Sequence, residues 1–435
     1  MSLLDAELVD GRTWSRVGDS YEVTKKPRGV DRAAFSAIPF AAMEAIPQSG
    51  AYPPEFTIKA PNQIASGTYF ERGDILVSKI TPSFENGKQA LIQHLDAPFG
   101  YATTEVIPLH RRSEEHDPRL LFFYLLHPDI RHYVAERMEG STGRQRVPEN
   151  VLLDLPIPAF DQGDQTAIAD VLEIIQVASS AEAQCEKSAQ DLKRAAMGAL
   201  FTRGLRGEAQ RETDIGLVPE SWDVASIGDV SLNTQYGLSV RGQTSGPYAI
   251  LRMNCQEDGA VHYRNLQFVD LDEPTYETFR LKQSDLLFNR TNSIELVGRM
   301  SIIHDDRPAV FASYLVRLTV DEKRCLPRFL NYFMNWPATQ AEIKKLASRS
   351  VGQANINASK LRTVQFPLPP TLDEQREIVD ILDAIDQKIV LHRRKRGVLD
   401  DLFKSLLHKL MTGEIRVGDL DLAVLNRSEV TGVAA

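Results

Sequence analysis

The feature that most constrains this chain is that it contains itself twice. Residues 73–92, GDILVSKITPSFENGKQALI, align without a gap on residues 284–303, SDLLFNRTNSIELVGRMSII, at an offset of 211. Asp74 meets Asp285, Lys79 meets Arg290, Gly87 meets Gly298 and Lys88 meets Arg299. Further on, LPIPAFDQGDQTAIADVLEIIQVA from Leu155 is matched by FPLPPTLDEQREIVDILDAIDQKI from Phe366. From Asp164 against Glu374 the offset is 210, and it persists to LFTRGLR from Leu200 against LMTGEIR from Leu410. A colinear match over so long a path means duplication, so whatever fold one half adopts, the other adopts too. With 435 residues in total, each copy has enough chain to bury a core of its own.

Each copy has two parts. The first mixes β-branched and aromatic runs (ILVSKI, LLFNRT, YLVRLTV) with turn residues and helical stretches broken near prolines, PRLLFFYLLHPDIRHYVAERM and PRFLNYFMNWPATQAEIKKLA. That pattern predicts an α+β globule in duplicate. The second part is rich in charge and free of proline from Asp164 to about Arg203 and from Asp373 to about Met411, and predicts a helix of about forty residues, ~60 Å long at 1.5 Å per residue. The expected boundaries are a first globule over 1–156, helix over 157–206, a second globule over 207–366, helix over 367–416 and a flexible tail over 417–435.

Helices that long and that exposed need partners. Heptad-spaced positions of the second run Ile378, Leu382, Ile385, Ile389, His392, Arg396, Leu399, Phe403, Leu406, Leu410. Those of the first run Ile168, Leu172, Ile175, Ser179, Glu182, Glu186, Ala189, Lys193, Ala196, Leu200. Both seams are apolar at the ends and polar in the middle, with acid on one centre and base on the other. An antiparallel coiled coil sets Glu182 against Arg396 and Glu186 against His392. The alternative is that each helix packs only on its own globule.

Catalytic signatures are missing: there is no phosphate loop, no H-E-x-x-H, no nucleophile elbow and no methyltransferase motif. Pro128-Asp129 with Glu136-Arg137 is a poor approximation to a nuclease set and reads as a solvated helical face. The nine histidines show no ligand spacing in sequence. Cys185, Cys255 and Cys325, widely spaced and odd in number, fit reduced thiols and a cytoplasmic setting. No apolar run reaches membrane-spanning length. A net charge of −9 disfavours indiscriminate nucleic-acid binding but leaves room for local basic surfaces.

Such surfaces stand in matching places of the two copies. EGSTGRQRVPEN carries Ser141, Thr142, Arg144, Gln145 and Arg146, and ASRSVGQANINAS carries Arg349, Ser350, Gln353 and Asn355. Arginine pairs with guanine and Gln or Asn with adenine, while hydroxyls suit phosphates. A second duplicated loop adds Lys79 and Lys88 in one copy and Arg290, Asn292 and Arg299 in the other. Each loop alone reads as an ordinary solvated surface. Their recurrence with different letters predicts two binding loops with different targets.

Two diverged globules, each followed by a P-x-P lead-in, a Glu-Gln pair (Glu374-Gln375; Asp164-Gln165 in the first copy) and a helix ending in L-[MF]-T-x-x-[LI]-R, resemble the specificity subunit of type I restriction–modification enzymes. The resemblance spans nearly the whole chain up to about Val417. It implies a non-catalytic subunit in which two α+β target recognition domains each read half of a bipartite, asymmetric double-stranded DNA site. It implies helices that act as a ruler and as a platform for two methyltransferase subunits carrying S-adenosylmethionine, with restriction subunits joining to translocate and cut. The chain itself needs no cofactor on this view. A duplicated coiled-coil adaptor that binds proteins is the rival reading.

Overall fold

One strand in each half explains the layering around it. In the computed structural model, every residue of the strand Ile75–Ser78 is buried. Successive side chains of a strand point to opposite faces. Ile75 and Val77 therefore enter a core shared with Leu121, Phe123 and Ile130 of two short helices, while Leu76 enters another with Ala41, Phe70 and Ala90. The strand Leu286–Asn289 divides identically. Leu286 and Phe288 face the helix-side core with Phe329 and Phe333, and Leu287 faces Leu251 and Phe311. The duplication expected from the sequence holds at the level of which residue faces which layer.

The structure describes residues 3–5, 7–8, 11–48, 55–141, 143–350 and 352–420, with the side chains of residues 349 and 350 excepted. Two units are distinguished by their internal contacts: residues 1–184 with 392–435, and residues 185–391. In the first, Tyr21–Val23, Val106–Arg111, Ile75–Ser78 and Gln89–Leu91 form an antiparallel sheet in that order. A second sheet orders Thr57–Lys59, Ile38–Ala41, Gly100–Ala102 and Thr68–Phe70, with one parallel pair. In the second unit, the sheet that contains Leu286–Asn289 has six strands, and the layer beyond it orders Gln267–Val269, Tyr248–Leu251 and Ala309–Phe311.

The repeated prolines have a structural task. In the first unit Trp14–Arg16 pairs antiparallel with Pro156–Pro158, and in the second Asp223–Ser226 pairs with Gln365–Leu368. Each lead-in thus closes its globule as one strand of a two-stranded ribbon, where a missing N–H is tolerated. The following helix is then tied back by the glutamine of its first turn. Gln165 Oε1 accepts from Asp117 N at 3.0 Å, and Gln375 Oε1 accepts from Leu326 N at 2.8 Å. Both amides belong to the N-terminal ends of short helices led by Pro118 and Pro327, whose first N–H groups have no partner within the helix.

The long helices are Gln162–Arg203 and Leu372–Thr412. Each contributes one part to each unit, so the contact units cut across the boundaries expected at 156 and 366. In the first unit Ile168, Leu172 and Ile175 share a core with Phe403, Leu406, Leu407, Leu410 and Met411. Ser179 Oγ donates to Asp400 Oδ1 at 2.6 Å, and Glu182 meets His392 Nδ1 at 2.5 Å and Lys395 Nζ at 3.5 Å. In the second unit Ala189 packs with Ile385 and Ile389, Lys193 Nζ lies 2.6 Å from Asp386 Oδ1, and Leu200 shares a core with Ile378 and Leu382. In both, partner numbers fall as those of the first helix rise, so the helices pack antiparallel. Ser179 with Asp400 and Lys193 with Asp386 lie within one residue of the expected register, while Glu182, set opposite Arg396, bonds His392, one turn earlier. An apolar seam repeats every turn and fixes register only to the extent that its ends differ, and polar side chains at the centre reach a turn either way. Of the expected tail, Val417–Asp419 forms a single 3₁₀ turn, with Val417 and Leu420 packed on the first unit's core, and residues 421–435 lie outside the described residues.

Candidate nucleic-acid interface

The two loops singled out in each copy become one surface on folding. In the first unit Glu139 and Arg146 pair through Glu139 N to Arg146 O and Arg146 N to Glu139 O, both 2.8 Å, at the base of a hairpin. The hairpin docks on the segment leaving the central strand. Val147 N donates to Lys79 O at 2.8 Å, Thr81 N donates to Gln145 O at 3.1 Å, and Ile80 bridges to Arg146. In the second unit Thr291–Asn292, Gln353–Asn355 and Ser348–Ser350 form a three-stranded sheet in that order, and Ile356 N donates to Arg290 O at 2.9 Å. The Val147–Lys79 and Ile356–Arg290 bonds are the same bond in the two copies. A common backbone frame therefore carries different side chains.

The side chains fall into two groups. Some are engaged internally. Lys88 Nζ donates to Met43 O at 2.8 Å, Asn292 Oδ1 accepts from Ser293 N at 2.8 Å, and Asn355 Nδ2 donates to Thr291 Oγ1 at 2.6 Å. Each of these shapes the surface more than it reads a ligand. Arg290 is divided: Nη1 donates to Ser313 O at 3.2 Å, and its guanidinium lies over the Tyr236 ring at 4.8 Å. Arg146 forms a two-point ion pair with Glu105, Nε to Oε2 at 2.9 Å and Nη2 to Oε1 at 2.7 Å. These bonds hold the Glu105 carboxyl below its usual range and push Arg146 up.

The others present themselves outward. Arg144 and Arg299 are exposed and bond nothing through their side chains among the described residues, while Ser141 and Gln353 are also exposed. Lys79 and Gln145 are half-buried, and Gln145 gives its carbonyl to Thr81. Thr142 lies outside the described residues, as do the side chains of Arg349 and Ser350, whose backbones lie in the strand Ser348–Ser350.

Three residues at this surface escaped the sequence reading. Glu105 is one, and the others are Tyr236 and Tyr314, both exposed and both beside Arg290, whose N donates to Tyr314 O at 3.0 Å. Lys79 N donates to Glu105 O at 2.9 Å in the same way. Glu105 and Tyr314 thus hold equivalent places, and the aligned runs TTEVIPL and ASYLVRL are the signal that locates them.

Histidines scattered in sequence also meet. His127 Nε2 lies 3.2 Å from His408 Nδ1, with Asp129 alongside. Asp129 N donates to His127 Nδ1 at 3.1 Å, so neutral His127 carries its proton on Nε2 and points it at His408. That leaves His127 no lone pair for a metal, and the pair reads as a clasp between the second long helix and the first globule. Burial pushes His127 down to about 4. Among the described residues no helix is long and apolar enough to cross a membrane.

Residues 219–400 match the family model described as the type I restriction modification DNA specificity domain. A putative type I restriction enzyme specificity subunit, MjaX, from Methanocaldococcus jannaschii is 29% identical over 46% of this chain. That match spans only about half, 48%, of the relative's own length. The MjaVIII specificity subunit of the same organism is 23% identical over 74% of this chain and 76% of its own, and the Escherichia coli EcoKI specificity subunit 25% over 61% and 58%. In fold, the chain is similar to the type I S subunit of M. genitalium, at a TM-score of 0.57 and 13% identity over 93% of this chain and 98% of that one. It is likewise similar to a chain from a solved type I R-M system, at 0.55 and 18% over 95% and 100%. Over residues 219–400 the chain carries a match to the type I restriction modification DNA specificity domain, and the relatives similar to it in sequence are specificity subunits of type I restriction enzymes.

Proposed function

We propose that the chain recognises a bipartite, asymmetric DNA sequence, each unit reading one half, while the long helices set the gap and seat two methyltransferase subunits. The observation that carries this is the common backbone frame with different outward side chains: Ser141, Arg144, Gln145 and Arg146 in one copy, Arg299, Gln353 and Tyr314 in the other. Two equal frames with unequal contacts suit a site whose halves differ.

Seating of partners is supported by apolar side chains left outward on the helices. Val177 and Val398 in the first unit and Leu192 and Val390 in the second are all more than half exposed. Large apolar groups on solvent faces of charged helices suit a protein interface. A non-catalytic role for this chain in such a complex fits relatives named as specificity subunits. S-adenosylmethionine is expected on the methyltransferase subunits, and cleavage on restriction subunits that join them.

Methylome sequencing of cells carrying the chain with its methyltransferase subunits tests the reading. A bipartite methylated motif that disappears on deletion of this chain is the expected result. Unchanged methylation, with the chain recovered in a DNA-free protein assembly, would favour the adaptor reading.

A further inference from the structure

Arg146 has a geometry that the second unit does not repeat. A guanidinium has five N–H donors: one on Nε and two on each Nη. Glu105 takes the Nε donor and one Nη2 donor. The two donors of Nη1 and the second of Nη2 remain, and one from each Nη forms the end edge of the fork. That edge matches the N7 and O6 acceptors that guanine shows in the major groove. Glu105 therefore engages Arg146 without blocking the edge that reads a base.

Three further observations bear on the role of the pair. Glu105 is the more covered partner and Arg146 is half exposed, so the carboxylate sits beneath and the fork reaches outward. The backbones at both ends are fixed, Arg146 by its pairing with Glu139 and Glu105 by Lys79 N. A long side chain already held loses less freedom on binding than one that must be ordered. Finally, the paired charges cancel. A phosphate contact gains from an uncompensated cation, so an arginine placed for phosphate is poorly served by a carboxylate at its side. One placed for a base edge is well served. In the second unit the equivalent positions carry Tyr314 and Asn355, and Asn355 turns its amide to Thr291 instead.

We propose that Arg146 reads a guanine in the major groove of the half-site bound by the first unit, and that Glu105 is the positioning residue that aims it. The inference rests on the DNA-reading function proposed above.

The test is selection of bound duplexes from a randomised library by the full chain in complex with its methyltransferase subunits, followed by competition with single-base variants of the selected site. The wild type selects a motif with a guanine in one half. Arg146→Ala reduces discrimination at that guanine by roughly five- to 150-fold. Glu105→Ala reduces it at least ~5-fold, with unchanged or slightly stronger binding to unrelated DNA because a negative charge is gone. Glu105→Gln, which keeps the shape and one acceptor, falls between. The double variant is no worse than Arg146→Ala alone. Retained discrimination at the other bases of the same half shows that the first unit of each variant is folded. A motif in which Arg146→Ala and Glu105→Ala weaken every position equally, or in which no guanine depends on them, overturns the inference and leaves DNA reading standing. A wild-type complex that selects no motif overturns both.

Discussion

Gly87 and Gly298 occupy equivalent places in the two units, yet the structure assigns them unequal tolerance to a methyl group. Gly298 has φ +90°, and a Cβ built there would lie 2.6 Å from Cγ2 of Ile343, which is itself 1% exposed. Its N donates to Asn289 O at 2.9 Å and its carbonyl accepts from Gln340 Nε2 at 2.8 Å, so the backbone is not free to move away. Left-handed backbone costs an L-residue ~1–2 kcal/mol, and an extra methyl in a packed core costs ~1–3 kcal/mol more. Gly298→Ala is therefore expected to destabilise the second unit by ~2–5 kcal/mol. Gly87 has φ +71°, closer to the left-handed minimum, and its Cβ would meet Arg131 Nη1 at 2.7 Å. That neighbour is the end of a long side chain that can swing away at the loss of its bond to the Glu85 carbonyl. Gly87→Ala is expected to cost ~1–3 kcal/mol. Urea denaturation of the full chain in a Trp14→Phe background reports the second unit, since Trp222 is buried there and Trp336 packs on Phe201 and Phe333. With an m-value of ~2–3 kcal/mol/M, the Gly298→Ala midpoint drops by about 0.7–2.5 M. A drop below ~0.3 M refutes the steric argument.

Other outcomes follow from the same structure. Arg144→Ala weakens recognition in one half-site and Arg299→Ala in the other; equal loss in both halves, measured on single-base variants, contradicts independent reading. His127 is held neutral by burial, with a folded value of about 4 against ~6.5 for a free histidine. A depressed value means that the unfolded chain binds more protons between those limits. The contribution is full above pH ~6.5 and is lost as pH falls toward 4, by at most ~3 kcal/mol. His127→Gln should flatten that slope in denaturation midpoints taken from pH 7 to 4.5, and an unaltered slope contradicts the assignment. A heptad inserted in both long helices, opposite one another, adds ~10.5 Å, or about three base pairs at ~3.4 Å each. Selection from a library with randomised gaps should show that shift with the half-site bases unchanged, and an unmoved gap means that the helices do not measure it.

The repeat made much of the fold legible. Once residues 73–92 are laid on 284–303, the alternation of Ile75, Leu76 and Val77 recurs in Leu286, Leu287 and Phe288, and the layers follow. The antiparallel helix pairing was legible from seams that mirror one another. What could not be read is how each polar side chain spends its bonds. Lys88 looks like a free cation until the fold brings the Met43 carbonyl to it, and Arg146 until Glu105 arrives from 41 residues away. His127 and His408 stand 281 residues apart, beyond any motif spacing. The two candidate loops were read separately because the Lys79 to Val147 bond that joins them is a backbone bond, indifferent to residue type.

The division of the chain into units bears on how a ribosome delivers it. The second unit is one uninterrupted stretch, residues 185–391, and can finish as soon as that stretch emerges. The first starts ahead of it in the chain, but its core includes Phe403, Leu406, Leu407, Leu410 and Met411, which are made only after the whole second unit. At ~5–20 residues per second, the first globule waits roughly 10–40 s with the apolar sides of Leu121, Phe123 and Leu172 lacking their final cover. Order of synthesis and order of completion are thus reversed: the half that starts first closes last. A chain stopped short of residue 403 would therefore carry a finished second unit beside an unclosed first one. Such a product would be the natural substrate of chaperones and proteases that bind exposed apolar surface.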